Sequence, residues 1–185
     1  WERNCVAVGL AAGFLEPLEA SAIVLIELSA KLIAEQMPAC REVMDTVAKR
    51  FNDTTLYRWG RIVDFLKLHY ALTQRTDSDF WRDNCRPETM PDRLQELMTL
   101  WRYQAPWMHD EFDRVEEVFP SASYQYVLYG MGQRTEIAPG SLEAEAIVAE
   151  RARRENDVQT GRMLAGLPRH RDLIRKIVER GLPTI

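Results

Sequence analysis

Three cysteines and three histidines are all that this chain of 185 residues carries. Cys5, Cys40 and Cys85 lie far apart and odd in number, which excludes a disulfide framework and a zinc-type ligand spacing; they read as the reduced thiols of a cytoplasmic protein. His69, His109 and His170 are equally scattered, so no metal site is expected. Positive charge is not in excess: 24 basic and 28 acidic residues give a formal net charge of −4, and their mixing argues against a nucleic-acid partner. The chain has no uncharged apolar run long enough to cross a membrane. Ala20-Ser21-Ala22 resembles a signal-peptide cleavage site. Residues 1–4, however, carry no net positive charge, and Glu16 and Glu19 interrupt the approach to it. There is no initiator Met, no G-x-G-x-x-G fingerprint, no repeat and no low-complexity segment.

What is present is concentrated in residues 5–28, C-V-A-V-G-L-A-A-G-F-L-E-P-L-E-A-S-A-I-V-L-I-E-L. Val6-Ala7-Val8 has the composition of a short strand buried on both faces. Gly9, Ala11, Ala12 and Gly13 remove side-chain bulk, which suits close approach of the backbone to a flat or bulky ligand. Pro17 fits the first turn of a helix, and the apolar residues from Leu18 onward predict a buried helix to about Gln36. The amides of Glu19 to Ala22 would then lie at a helix N-terminus, which favours an anion by about 0.3–1 kcal/mol. Glu16 and Glu19 flank Pro17-Leu18 in apolar surroundings. Two readings stand on these residues alone: solvated first-turn acids, or carboxylates of which at least one has a specific partner.

The stretch resembles the second signature of the flavin-dependent tryptophan halogenases, G-L-x-x-x-F-x-E-P-L-E-S-T, and looks like a variant of the G-D-A-A-x-x-x-x-P turn of flavin monooxygenases with Leu10 in place of Asp. A second resemblance lies in residues 64–82, D-F-L-K-L-H-Y-A-L-T-Q-R-T-D-S-D-F-W-R, against the halogenases' D-F-x-x-x-H-Y-x-x-T-x-R-x-D-x-x-F-W. The two occur in order and at the family's spacing, and the likeness covers residues 4–132. It implies that an N-terminal part of the same protein precedes these residues, since the dinucleotide fingerprint, an essential lysine and a W-x-W-x-I-P signature lie upstream in the family.

Beyond the first helix, Met44, Val47, Phe51, Tyr57, Ile62, Phe65, Leu66 and His69 recur at helical spacing, predicting an amphipathic helix over residues 39–73 with Arg58, Arg61, Asp64 and Lys67 outward. His69 is expected to be a hydrogen-bonded core histidine. Asp77-Ser78-Asp79 offers cap chemistry for a short helix whose Phe80 and Trp81 would pack in the core. A helix from Pro91-Asp92 to about Tyr103 turns Leu94, Leu97, Met98 and Trp101 inward. The aromatic link of residues 104–120, with Trp107, Met108, His109, Phe112 and Phe119, does not keep the family's free-tryptophan contacts; Arg114 falls where an acid is expected. Ser121 would cap a helix ending at Gly130-Met131-Gly132, and Ser141 a long charged helix to about Leu164 whose Arg151, Arg153, Arg154 and Glu155 form a solvated face. A last amphipathic helix stops at Gly181 and Pro183.

The expected fold is mainly α: a helical substrate-side module over residues 37–185, preceded in residues 1–36 by the last strand-turn-helix of an α/β flavin-binding domain. The resemblance implies an FAD-dependent halogenase supplied with reduced FAD by a flavin reductase. Oxygen and halide then yield hypohalous acid, which an upstream lysine delivers to a small electron-rich aromatic such as an indole. Carried over by position, Glu19 is the catalytic carboxylate, Ser21 and Ala22 are the halide-binding residues, and Leu10 and Ile23 line FAD. Ala20 stands where the family has Ser. The second match favours a functional Glu19, while Glu16 is expected to be structural. A flavin monooxygenase and a helical interaction module are the alternatives, and a homodimer is left open.

Overall fold

The computed structural model describes residues 1–107, 110, 118–136 and 142–181, which divide into two units, Trp1–Glu136 and Ile137–Ile185. The readings at Met108, His109, Phe112, Arg114, Ser141 and Pro183 lie outside the described residues. The first unit is built on helices α1 (Ser21–Glu35), α2 (Met44–Ala71), α3 (Asp79–Asn84), α4 (Asp92–Leu100) and α5 (Ser121–Gly130). The second holds α6 (Leu142–Gly166) and α7 (His170–Arg180).

The mainly helical expectation holds, and its long periodic segments give the helices. Val6-Ala7-Val8 forms no strand. Val8 is extended (φ −135°, ψ 149°), but the one β contact among the described residues is an isolated bridge between Glu2 and Cys5. Extended backbone becomes a strand only beside a neighbour that takes its amides. Cap chemistry also falls differently. Ser78 occupies the N-cap of α3 without a side-chain bond, and α5 begins at Ser121 itself, capped by Pro120.

The longest helix, α2, is the axis of the first unit. One of its faces meets α4 and α5 in a core of Phe65, Leu68, Leu94, Leu97, Trp101, Tyr124 and Leu128. Phe119 stacks on Phe65 at 3.9 Å between centroids, and Tyr124 meets the same ring edge-on at 4.8 Å. Trp101 is fully buried, and its indole N–H donates to Asp110 Oδ2 at 3.1 Å, so burying it leaves no donor unmet. A neighbouring face of α2 gives Ile62 and Leu66 to a smaller cluster with Leu25 of α1, flanked by Leu15, Leu18 and Trp59. This second cluster seats the Gly-rich turn against α2.

Helix α1 corrects the expectation of an all-round buried helix. Its buried residues are Ser21, Leu25 and Ser29, one stripe at four-residue spacing, while Ile23 is 63% exposed and Ile26 41%. Leu25 alone carries a large apolar side chain on that stripe, while Ile23, Val24 and Ile26 are exposed among the described residues. In the second unit no described side chain is buried; α6 carries Arg151–Glu155, Arg153–Glu150, Arg153–Asp157 and Arg154–Glu150 ion pairs along an exposed face. No described helix is long and apolar enough to cross a membrane, and no cluster of metal-ligating side chains occurs among the described residues.

Candidate functional site

The helix after the Gly-rich turn starts later than its apolar pattern suggests. Leu18–Ala20 forms a single tight turn, closed by Ala20 N–H donating to the Pro17 carbonyl at 3.0 Å, and α1 begins at Ser21. Glu19 (φ 63°, ψ 10°) and Ala20 (φ 54°, ψ 23°) are both left-handed. For residues with a β-carbon this costs roughly 1–2 kcal/mol each, and it persists only where surrounding contacts hold the chain in place.

Those contacts come from the last turns of α2. Tyr70 Oη donates a short hydrogen bond to Glu16 Oε2. His69 Nε2 lies 3.4 Å from Glu19 Oε1, and His69 Nδ1 is 2.9 Å from the Phe65 carbonyl oxygen. The bond to Glu16, burial and the nearby carboxylate charge push the Tyr70 phenol up to about 12. Two consecutive residues of one helix thus hold two carboxylates three residues apart in the turn. The two sequence signatures are therefore two sides of one clamp. Phe80 and Trp81 complete it from outside: Trp81 stacks on Tyr70 at 5.8 Å, Phe80 meets it edge-on at 6.0 Å, and the Arg75 guanidinium sits 4.2 Å over Trp81. Phe80 is 57% exposed, so this pair covers Tyr70 instead of entering the core.

Asp64, expected outward, is 2% exposed. Its Oδ2 pairs with Arg61 Nη2 at 3.1 Å and Arg93 Nη1 at 3.2 Å. Burial pushes the carboxyl above the usual range, while the two guanidinium groups pull it back. Lys67 is also drawn inward, donating to Asn84 Oδ1 at 2.7 Å and Thr89 Oγ1 at 3.0 Å. Both side chains leave the solvent face because α3 and α4 wrap the end of α2 and bring partners to it.

At the start of α1, Ser21 is 1% exposed and its Oγ has no hydrogen-bond partner among the described residues. No side chain among the described residues caps this end of the helix. An uncapped helix N-terminus presents amides and the positive end of the dipole. Beside it, a cavity of about 30 Å³ is lined by Gly9, Leu10, Ala22, Ile26, Thr55 and Trp59. Leu10 and Ile23 are 79% and 63% exposed, apolar side chains that the described residues do not cover. The small residues in the turn also serve the chain itself. A β-carbon at Gly13 would stand 2.8 Å from Trp59 Cη2, and Gly9 holds φ +64°. The flat group that Gly13 admits is thus the indole of Trp59.

The structure brings Glu19, Ser21 and Ala22 into one continuous turn, with Leu10 and Ile23 on its open side. His69 is hydrogen-bonded to its own helix, as expected, but sequence reasoning missed its pairing with Glu19: the partners of both carboxylates lie on α2. A usable signal was present, since His69 and Tyr70 are adjacent polar groups on an otherwise apolar helix face.

The tryptophan halogenase family model matches residues 1–145. A tryptophan 6-halogenase of Streptomyces toxytricini is 31% identical over 71% of this chain and 25% of its own length. A second tryptophan 6-halogenase, of Streptomyces albogriseolus, is 30% identical over 96% of this chain and 35% of its own. Among solved structures, a tryptophan halogenase of Shewanella frigidimarina superposes with a TM-score of 0.90 at 43% identity, covering all of this chain and 35% of that one. A flavin-dependent halogenase of Brevundimonas gives 0.79 at 34% identity, over 96% of this chain and 35% of that one. The chain spans about a quarter to a third of the length of these relatives. By its matched motifs, its model match and its fold, the chain belongs to the tryptophan halogenase family.

Proposed function

We propose that these residues form the substrate-side part of a flavin-dependent halogenase acting on an electron-rich aromatic such as an indole. In this reading residues 1–36 are the edge of the flavin-binding domain and residues 37–185 the helical module. The observation that carries it is the turn itself: a carboxylate, Glu19, held at the mouth of a helix that, among the described residues, has no side-chain cap and whose first side chain is a buried hydroxyl without a partner. That end of α1 suits a halide, with Ser21 and Ala22 supplying backbone N–H groups. Leu10 and Ile23 fit the apolar edge of a bound FAD, and the outward-facing isoleucines of α1 support a contact of that kind. Reduced FAD, delivered by a separate flavin reductase, would reduce oxygen to the peroxide level, and oxygen at that level takes two electrons from the halide to give hypohalous acid.

Within this chain the division of labour follows from position. The helix end holds the halide by amide donors. Glu19, two residues before the first of them, orients the oxidant toward the ring and stabilises or accepts the proton of the cationic ring intermediate.

Glu19→Gln in the full-length protein tests the assignment. Flavin reoxidation is expected to continue while halogenated product falls at least about tenfold, or ~1.4 kcal/mol of barrier. Unchanged product per reduced flavin sinks the role of Glu19, and oxygenated product formed without chloride or bromide sinks the halogenase reading.

A further inference from the structure

His69 does more than fill a helix face. Its Nδ1 lies 2.9 Å from the Phe65 carbonyl oxygen. A carbonyl only accepts, so Nδ1 carries a proton. On the other side of the ring, Nε2 is 3.4 Å from Glu19 Oε1. In the neutral ring with Nδ1 protonated, Nε2 is a lone pair, and an ionised carboxylate is also acceptor-only. Two acceptors at this separation repel each other. The contact is attractive only when the pair holds one further proton, on Nε2 or on the carboxyl.

We propose that His69 is the positioning residue of Glu19, holding its carboxyl group beside the N-terminus of α1 by sharing one proton with it. The catalytic half of this inference rests on the halogenase reading of Glu19; the pairing itself does not. The ring is well placed for the task. The Phe65 carbonyl fixes one nitrogen, and the Phe65 ring meets the imidazole edge-on at 5.0 Å and 88°. The neighbouring Tyr70 hydroxyl is directed to Glu16, which leaves Glu19 as the ionisable side chain within ion-pair distance of the imidazole among the described residues. Glu19 also has a left-handed backbone, a conformation that needs an external hold, and His69 grips its carboxylate.

Two measurements test this. In the 185-residue chain, long-range proton–nitrogen correlation spectra of labelled histidine report the tautomer of each ring, with His69 assigned through His69→Gln. The expected result is a His69 ring protonated on Nδ1, as the imidazolium when the shared proton rests on Nε2 or as the neutral ring when it rests on the carboxyl, with an Nε2 resonance that moves in Glu19→Ala. A neutral ring protonated on Nε2, or a His69 spectrum indifferent to Glu19→Ala, overturns the pairing. In the full-length protein, His69→Phe is expected to lower kcat for halogenation at least about tenfold with little change in KM for the aromatic substrate. His69→Gln, whose amide still donates to the carboxylate, should recover most of that loss. Full activity in His69→Phe, or equal losses in both variants tracking a fall in Tm, overturns the positioning role. Normal halogenation by Glu19→Gln removes the catalytic half, while the ring spectra still decide the pairing.

Discussion

Ala20 sits at φ 54°, a conformation that glycine adopts freely and alanine only at a cost. Its amide is tied to Pro17, and α1 follows at once, so the chain cannot relax the angle locally. Ala20→Gly is expected to raise stability by about 0.5–1 kcal/mol, the strain relieved exceeding the added freedom of the unfolded chain. Urea denaturation measures this directly, and a destabilised variant would mean the left-handed turn carries no strain. The pair of left-handed residues was illegible in the sequence, because the usual signs of positive φ are Gly and Asn, and here the residues are Glu and Ala. The carboxylates were legible as a problem to be solved, since a Glu among apolar residues needs a partner. Which partners they take depends on contacts across 50 and 54 residues, which no local pattern encodes.

Between elements, the Glu16–Tyr70 bond fastens the turn before α1 to the end of α2. Tyr70 titrates near 12 when folded and near 10 in an unfolded chain. Because the folded value is the higher, the stabilisation is complete below about pH 10 and is lost as pH rises through about 12. Absorbance of phenolate at alkaline pH should show a step near pH 12 that Tyr70→Phe removes, together with some stability below pH 10. A titration unaltered by Tyr70→Phe would count against the bond. Helix lengths followed well from apolar periodicity, as α2 and α4 show. The direction of individual polar groups did not. Asp64 turns inward because Arg93 on α4 comes to meet it, and the stripe that α1 buries holds Ser21 and Ser29 on either side of Leu25.

At the scale of the molecule, the buried hydrophobic residues described all lie between Leu25 and Leu128, inside the first unit. The second unit adds helix but no buried side chain among its described residues. A chain ending at Glu136 should therefore unfold cooperatively with a Tm within about 4 °C of the 185-residue chain, a difference of ~1 kcal/mol. A much larger fall, read by circular dichroism on both chains, would show that the core depends on residues beyond Glu136. The helical class of the whole was legible because packing of amphipathic helices dominates it. The fate of Val6-Ala7-Val8 was not, because a strand is a property of neighbours as well as of its own residues. One consequence concerns length. His69 and Tyr70 follow each other around α2 by about 100°, and Glu16 and Glu19 meet both, so the clamp registers the rotational phase of the helix. Removing or adding one residue between Ile62 and His69 would turn both partners away together while Phe65 left the core. Along that stretch the number of residues is held as firmly as the apolar pattern of Ile62, Phe65, Leu66 and Leu68; insertions belong before Met44 or after Leu72, where the phase is not read.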